Sequence, residues 1–128
     1  MKYEVVFESF TEKHFIKGFS KKYKSTWDFT FKLLHEEFEQ IDFLFLKQSA
    51  EVIISFPGIK ICKTEFKIAG TQVSRHTSGN RCIVAVYDDT QVVSVLLVYN
   101  KTDLPSTNET AEWKKLIKNN YPDLRKYI

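Results

Sequence analysis

The sequence predicts an α+β fold: an antiparallel twisted sheet of three to five strands, an N-terminal helical hairpin packed on one face, and a C-terminal helix. Three observations point there. Phe15, Ile16, Phe19 and Tyr23, then Trp27, Phe31, Leu34, Phe38 and Ile41, recur at helical spacing. Two apolar runs, Cys82 to Tyr87 and Val92 to Tyr99, flank the polar Asp88-Asp89-Thr90-Gln91, the pattern of a hairpin. Between these regions Ile61 to Ile68 alternates, with Cys62, Thr64, Phe66 and Ile68 pointing one way and Lys63, Glu65 and Lys67 the other.

Taken in order, Tyr3 to Phe7 suits a short strand by its β-branched and aromatic content. Thr11 is read as the cap of a first helix, with Glu12 in its first turn. Ser25 or Thr26 breaks the chain and starts a second, longer helix. Phe43 to Leu46 is apolar and left open, whereas Val52 to Phe56 looks like strand, closed by the turn signal Pro57-Gly58. The alternating strand follows, then a loop over residues 69–80. The hairpin strands are apolar on both faces and are expected at the centre of the sheet. Asn108 or Thr107 caps the last helix, which carries Trp113, Leu116 and Ile117. Helices gathered on one face of the sheet are the economical arrangement.

The chain has 128 residues, which fits a single domain spanning 1–128 with a helical extension from about 108 to 128. Hydrophobic residues make up 43%, and the eleven Phe are expected mostly in the core. Cys62 and Cys82 form no CxxC pair, and with three scattered His they make no zinc set, so they are read as buried reduced thiols. No metal or other cofactor is expected. The N-terminus lacks a signal-peptide pattern and no run is long enough to cross a membrane, so a cytoplasmic protein with no membrane partner is expected.

The net charge of +3 hides a segregation. Residues 11–24 carry five lysines against one glutamate, residues 28–51 six acids against two lysines, and residues 60–81 five cations against Glu65. Arg75 and Arg81 bracket the polar stretch leading into the hairpin. A guanidinium fixed at a sheet rim suits phosphate, because its planar fork holds two oxygens at once. The plain alternative is that these cations are solvated surface charges, and that Arg81 pairs with a carboxylate such as Asp103.

The element order and the placed cations resemble the RelE/ParE superfamily of bacterial toxins. The matching pieces are a helical pair ending in Lys21-Lys22-Tyr23, Lys63-x-x-x-Lys67, and Arg75-x-x-x-Gly79-x-Arg81. A strand ending in Val86-Tyr87 and Val95-Leu96-Leu97-Val98-Tyr99-x-Lys101-x-Asp103 complete them, covering about residues 3–104. The stretch 43–59 is longer than the family's usual connection, and the tail from Asn108 extends beyond many relatives. The resemblance implies either a messenger-RNA endonuclease that works on the ribosome or a gyrase poison that shares the fold without cleaving. It also implies a cognate antitoxin as partner. A non-toxic nucleic-acid- or protein-binding module is the alternative from another class.

Metal-free RNA cleavage turns the 2′-hydroxyl on its own neighbouring phosphorus and leaves a 2′,3′-cyclic phosphate. It needs a base, fixed cations on the phosphoryl oxygens and a proton donor for the leaving 5′-oxygen. Arg75 and Arg81 are the expected charge stabilisers. Lys63 and Lys67 share a strand face, and amines crowded by other cations shed a proton more readily. His76 suits either proton task, and Lys101 could hold substrate or protonate the leaving group. Lys17, Lys21 and Lys22 are expected on RNA backbone, a contact without sequence information. His14 and His35 fall within helical patterns and are read as structural. Tyr87 and Tyr99 are read as core. No C-terminal residue is matched to a catalytic role.

Overall fold

A computed structural model describes residues 2–128. Five strands form one sheet in the order β1-β5-β4-β3-β2: β1 (Glu4–Phe7), β2 (Ala50–Phe56), β3 (Ile59–Phe66), β4 (Asn80–Tyr87) and β5 (Val92–Asn100). The fold is α+β, as the sequence predicts, and the hairpin strands lie inside the sheet. The sheet is mixed, however. β2 to β5 are antiparallel neighbours, and β1 joins the β5 edge in parallel.

The helical segment after β1 consists of α1 (Ser9–Thr11), a π-helical turn (Glu12–Ile16) and α2 (Lys17–Tyr23). Lys24, at φ 53°, breaks it from α3 (Ser25–Glu39), and α4 (Ile41–Leu46) takes up the apolar run left open by the sequence. Thr11 is not a cap. It is fully buried inside the helical segment, and its Oγ1 accepts the Val98 backbone N–H at 2.8 Å. β1 pairs with β5 only as far as Val95, so the Thr11 hydroxyl satisfies a strand N–H that no neighbouring strand reaches.

Helices cover both faces of the sheet rather than one. On the first face Cys62, Phe66, Cys82, Val84 and Val95 pack against Phe19, Trp27, Leu34 and Phe38 of α2 and α3. On the second, Ile61, Ile83, Leu97 and Tyr99 pack against Trp113, Ile117 and Leu124 of α5 (Glu109–Asn120) and the 3-10 turn Pro122–Tyr127. This is why β4 and β5 are apolar on both sides. A register shift between Ile83 and Val84 lets Leu96 and Leu97 both join the second face. Asn108 caps α5 through its side chain, which accepts from the Ala111 N–H at 3.1 Å.

Cys62 and Cys82 are free and buried on the first face. Burial pushes the Cys62 thiol up to about 12 and raises that of Cys82, so neither is a ready nucleophile. Among the described residues no helix is long and apolar enough to cross a membrane.

Candidate active site

The antiparallel register puts Glu65 of β3 directly opposite Arg81 of β4, and Arg81 opposite Tyr99 of β5. Their side chains point to the second face, where the first turn of α5 lies over them. Arg81 is only 6% exposed. Its Nη1 lies 3.1 Å from Glu65 Oε2 and donates to the Asn80 carbonyl at 3.1 Å, and its Nε lies 3.7 Å from Glu109 Oε2. The Tyr99 hydroxyl donates to the same Glu109 oxygen at 2.6 Å. Burial raises the Tyr99 phenol well above its ordinary value, and the bond to Glu109 adds to this. One buried guanidinium is thus flanked by two carboxylates and a neutral phenol. Among the described residues Arg81 Nε and Glu65 Oε2 have no aligned hydrogen-bond partner, so the row has spare polar capacity.

His76 completes the cluster from the loop between β3 and β4. Its Nδ1 lies 3.2 Å from the Glu65 carboxylate, and its ring is 85% exposed. At one end of the sheet the Glu65 carboxylate is therefore ion-paired with a permanent cation and hydrogen-bonded to a solvent-linked imidazole.

The other predicted residues are distributed differently. Arg75 does not share a phosphate-facing rim with Arg81. It turns back to α3, where Nη1 and Nη2 donate to Glu37 at 2.6 and 3.3 Å, while Nε donates to the Glu65 carbonyl at 3.0 Å. All three contacts anchor the loop. Lys63 and Lys67 do not share a strand face either, because β3 ends at Phe66. Lys63 lies 3.8 Å from Glu51 of β2, so its nearest charge is an acid rather than a cation. Lys67 is exposed beside a small cavity of about 150 Å³ lined by Leu33, Glu37 and Arg75. Nor does Arg81 pair with Asp103, which instead accepts the Asn100 N–H at 3.3 Å in the turn Lys101–Asp103. Lys101 is exposed, and its N–H donates to the Gly79 carbonyl at 2.8 Å.

Lys17, Lys21 and Lys22 are exposed on α2. Lys22 lines a cleft of about 450 Å³ between that segment and the strand-end residues Asn80 and Asn100. His14, read as structural from the sequence, lines it too. Sequence reasoning missed three site residues: Glu65, the Tyr99 hydroxyl and Glu109. For Glu65 a signal was present, since its open-face position in β3 sets it in register with Arg81. Glu109 lay in a tail with no matched role. Among the described residues no cluster of His, Cys, Asp and Glu could hold a metal.

No protein-family model matches the sequence, and no curated protein matches it. Among solved structures, the chain is similar to the Escherichia coli toxin RelE, in a double arginine-to-alanine mutant in the free state. The identity is 18% and the TM-score 0.48, over 94% of this chain and 99% of that one.

Proposed function

We propose that this chain is the toxin of a toxin–antitoxin pair and cuts messenger RNA on the ribosome without a metal. The observation that carries the reading is the contact cluster of Glu65, Arg81 and His76, which contains a base, a charge stabiliser and an acid. Glu65 takes the 2′-hydroxyl proton. The 2′-oxygen bonds to phosphorus as the bond to the 5′-oxygen breaks. Arg81 offsets charge on the phosphoryl oxygens, and protonated His76 gives its proton to the departing 5′-oxygen. The products are a 2′,3′-cyclic phosphate and a free 5′-hydroxyl. Glu109 occupies the Nε side of Arg81, so a substrate phosphate enters by displacing the first turn of α5. The exposed lysines of α2 and Lys101 hold RNA backbone by charge. A cognate antitoxin covers this end of the sheet.

The test is induction in cells followed by mapping of transcript ends, with Glu65→Gln as the comparison. Wild-type chain should arrest growth and leave cut transcripts, and the variant should do neither. Arrest with intact transcripts and a DNA-damage response favours the second reading, a non-cleaving gyrase poison. That reading has one observation of its own: Arg81 is buried under α5. Harmless expression favours a plain binding module.

A further inference from the structure

The cleft beside α2 has an opening that its surroundings do not require. Gly18 lines it from within a helix, where glycine weakens the backbone relative to alanine. A Cβ built on Gly18 would meet no atom within 4 Å, so crowding does not demand glycine. Positive φ does not demand it either, for the glycines at positive φ are Gly58, Gly70 and Gly79. The consequence of the missing side chain is space.

Different chemistries line that space. Asn80 is 5% exposed, with its Oδ1 committed to Asn100 Nδ2 at 2.9 Å, which leaves its amide nitrogen as the donor for a ligand. Asp103 uses Oδ2 on the Asn100 N–H at 3.3 Å and keeps its second oxygen as an acceptor. His14 and Tyr23 contribute flat rings, and Lys22 an ammonium group. Rings, edge-reading polar groups and a cation are what a single-stranded nucleotide needs for stacking, base recognition and phosphate contact. A volume of about 450 Å³ is of the right order for such a ligand. Asn80 and Asn100 precede and follow Arg81 and Tyr99 along β4 and β5, so the cleft lies at the same end of the sheet as the proposed cleavage row, with these two side chains facing the opposite side.

We propose that this cleft holds one nucleotide of the RNA substrate and prefers a base with an exocyclic amine over uracil. An ionised carboxylate only accepts hydrogen bonds, so Asp103 pairs with the amine of adenine, cytosine or guanine, whereas uracil offers it a single N3–H set between two carbonyls that it repels. This rests on RNA being the substrate, and its test separates the two ideas.

The probes are 2′-O-methyl hexamers of adenosine and of uridine, which lack the attacking hydroxyl, with binding read by fluorescence anisotropy. Wild-type chain should bind the adenosine hexamer about tenfold tighter than the uridine one, and Gly18→Leu, which fills the cleft, should weaken adenosine binding about tenfold. Asp103→Asn should narrow the gap between the two bases. Equal binding by wild type and a helical, folded Gly18→Leu overturns the proposal, as does indifference to the base. If Gly18→Leu does not fold, wild type decides through the NMR signal of the Asn80 side-chain amide. That signal should move on adding the adenosine hexamer, and a stationary signal overturns the proposal. Base-selective binding that depends on Gly18, with no cutting of ordinary RNA, upholds the cleft and defeats the nuclease reading. Cutting of ordinary RNA with hexamer binding untouched in Gly18→Leu does the reverse.

Discussion

Arg75 grips Glu37 through both terminal guanidinium nitrogens, at 2.6 and 3.3 Å, across 38 positions of sequence. The pair ties the loop between β3 and β4 to the last turn of α3, the longest helix among the described residues. The same loop carries His76 to Glu65. Arg75 thus acts at a distance from the proposed chemistry by fixing the loop that presents the acid.

Because the Arg75 side chain is 38% exposed, solvent screens the pair, and its coupling should be about 1 kcal/mol. A double-mutant cycle with Arg75→Ala and Glu37→Gln, read by urea unfolding, measures it. A coupling indistinguishable from zero removes the loop-anchor role.

Glu65→Gln keeps the side-chain shape and leaves Arg81 its second carboxylate, Glu109, so the fold should survive while the proposed RNA cleavage falls by about 10² to 10⁴, the usual range for a lost general base. Cleavage at the wild-type rate would assign the base elsewhere. Arg81→Ala is the poorer probe. It leaves Glu65 and Glu109 without their cation, and breaking such a buried pair costs about 3–5 kcal/mol, so lost activity would be confounded with lost fold.

Thr11→Val keeps the shape of a fully buried side chain and removes the acceptor of the Val98 N–H. An orphaned buried donor costs about 1–3 kcal/mol. Denaturant midpoints should fall accordingly, and hydrogen exchange at Val98 should speed up. An unchanged midpoint would show that water reaches this N–H.

Alkaline pH should destabilise the chain in a defined window. Burial pushes the Cys62 thiol from its ordinary value of 9.0 in the unfolded chain up to about 12 in the folded one. From pH 9 upward the unfolded chain therefore binds fewer protons than the folded one, so stability falls as pH rises through that interval. Below pH 9 both states hold the proton and the thiol contributes no slope. Stability against pH should be flatter between 9 and 12 in Cys62→Ala than in wild type, and parallel curves would contradict the assignment.

Much of the fold was legible because periodicity is local. The stripe from Trp27 to Phe38 and the hairpin around Asp88-Asp89 needed only neighbouring residues to be read. The parallel addition of β1 and the cover on the second face were not legible, since both depend on where distant segments land. The site divides the same way. Arg81 and His76 belong to the cluster, but Arg75 leaves it for Glu37, a residue in a helix far away in sequence. Lys67 was misplaced because alternation continued on paper one residue past the end of β3. Glu109 was invisible because its importance comes entirely from α5 folding back over Arg81 and Tyr99.

That fold-back also sets where the chain tolerates shortening. Ending it at residue 108 would strip Trp113 and Ile117 from the aliphatic bed of Ile61, Ile83 and Leu97 and leave a bare greasy wall. The truncated product should precipitate or self-associate rather than behave as a minimal domain. Any tag or fusion that must not disturb the protein is better placed elsewhere than between Asn100 and α5.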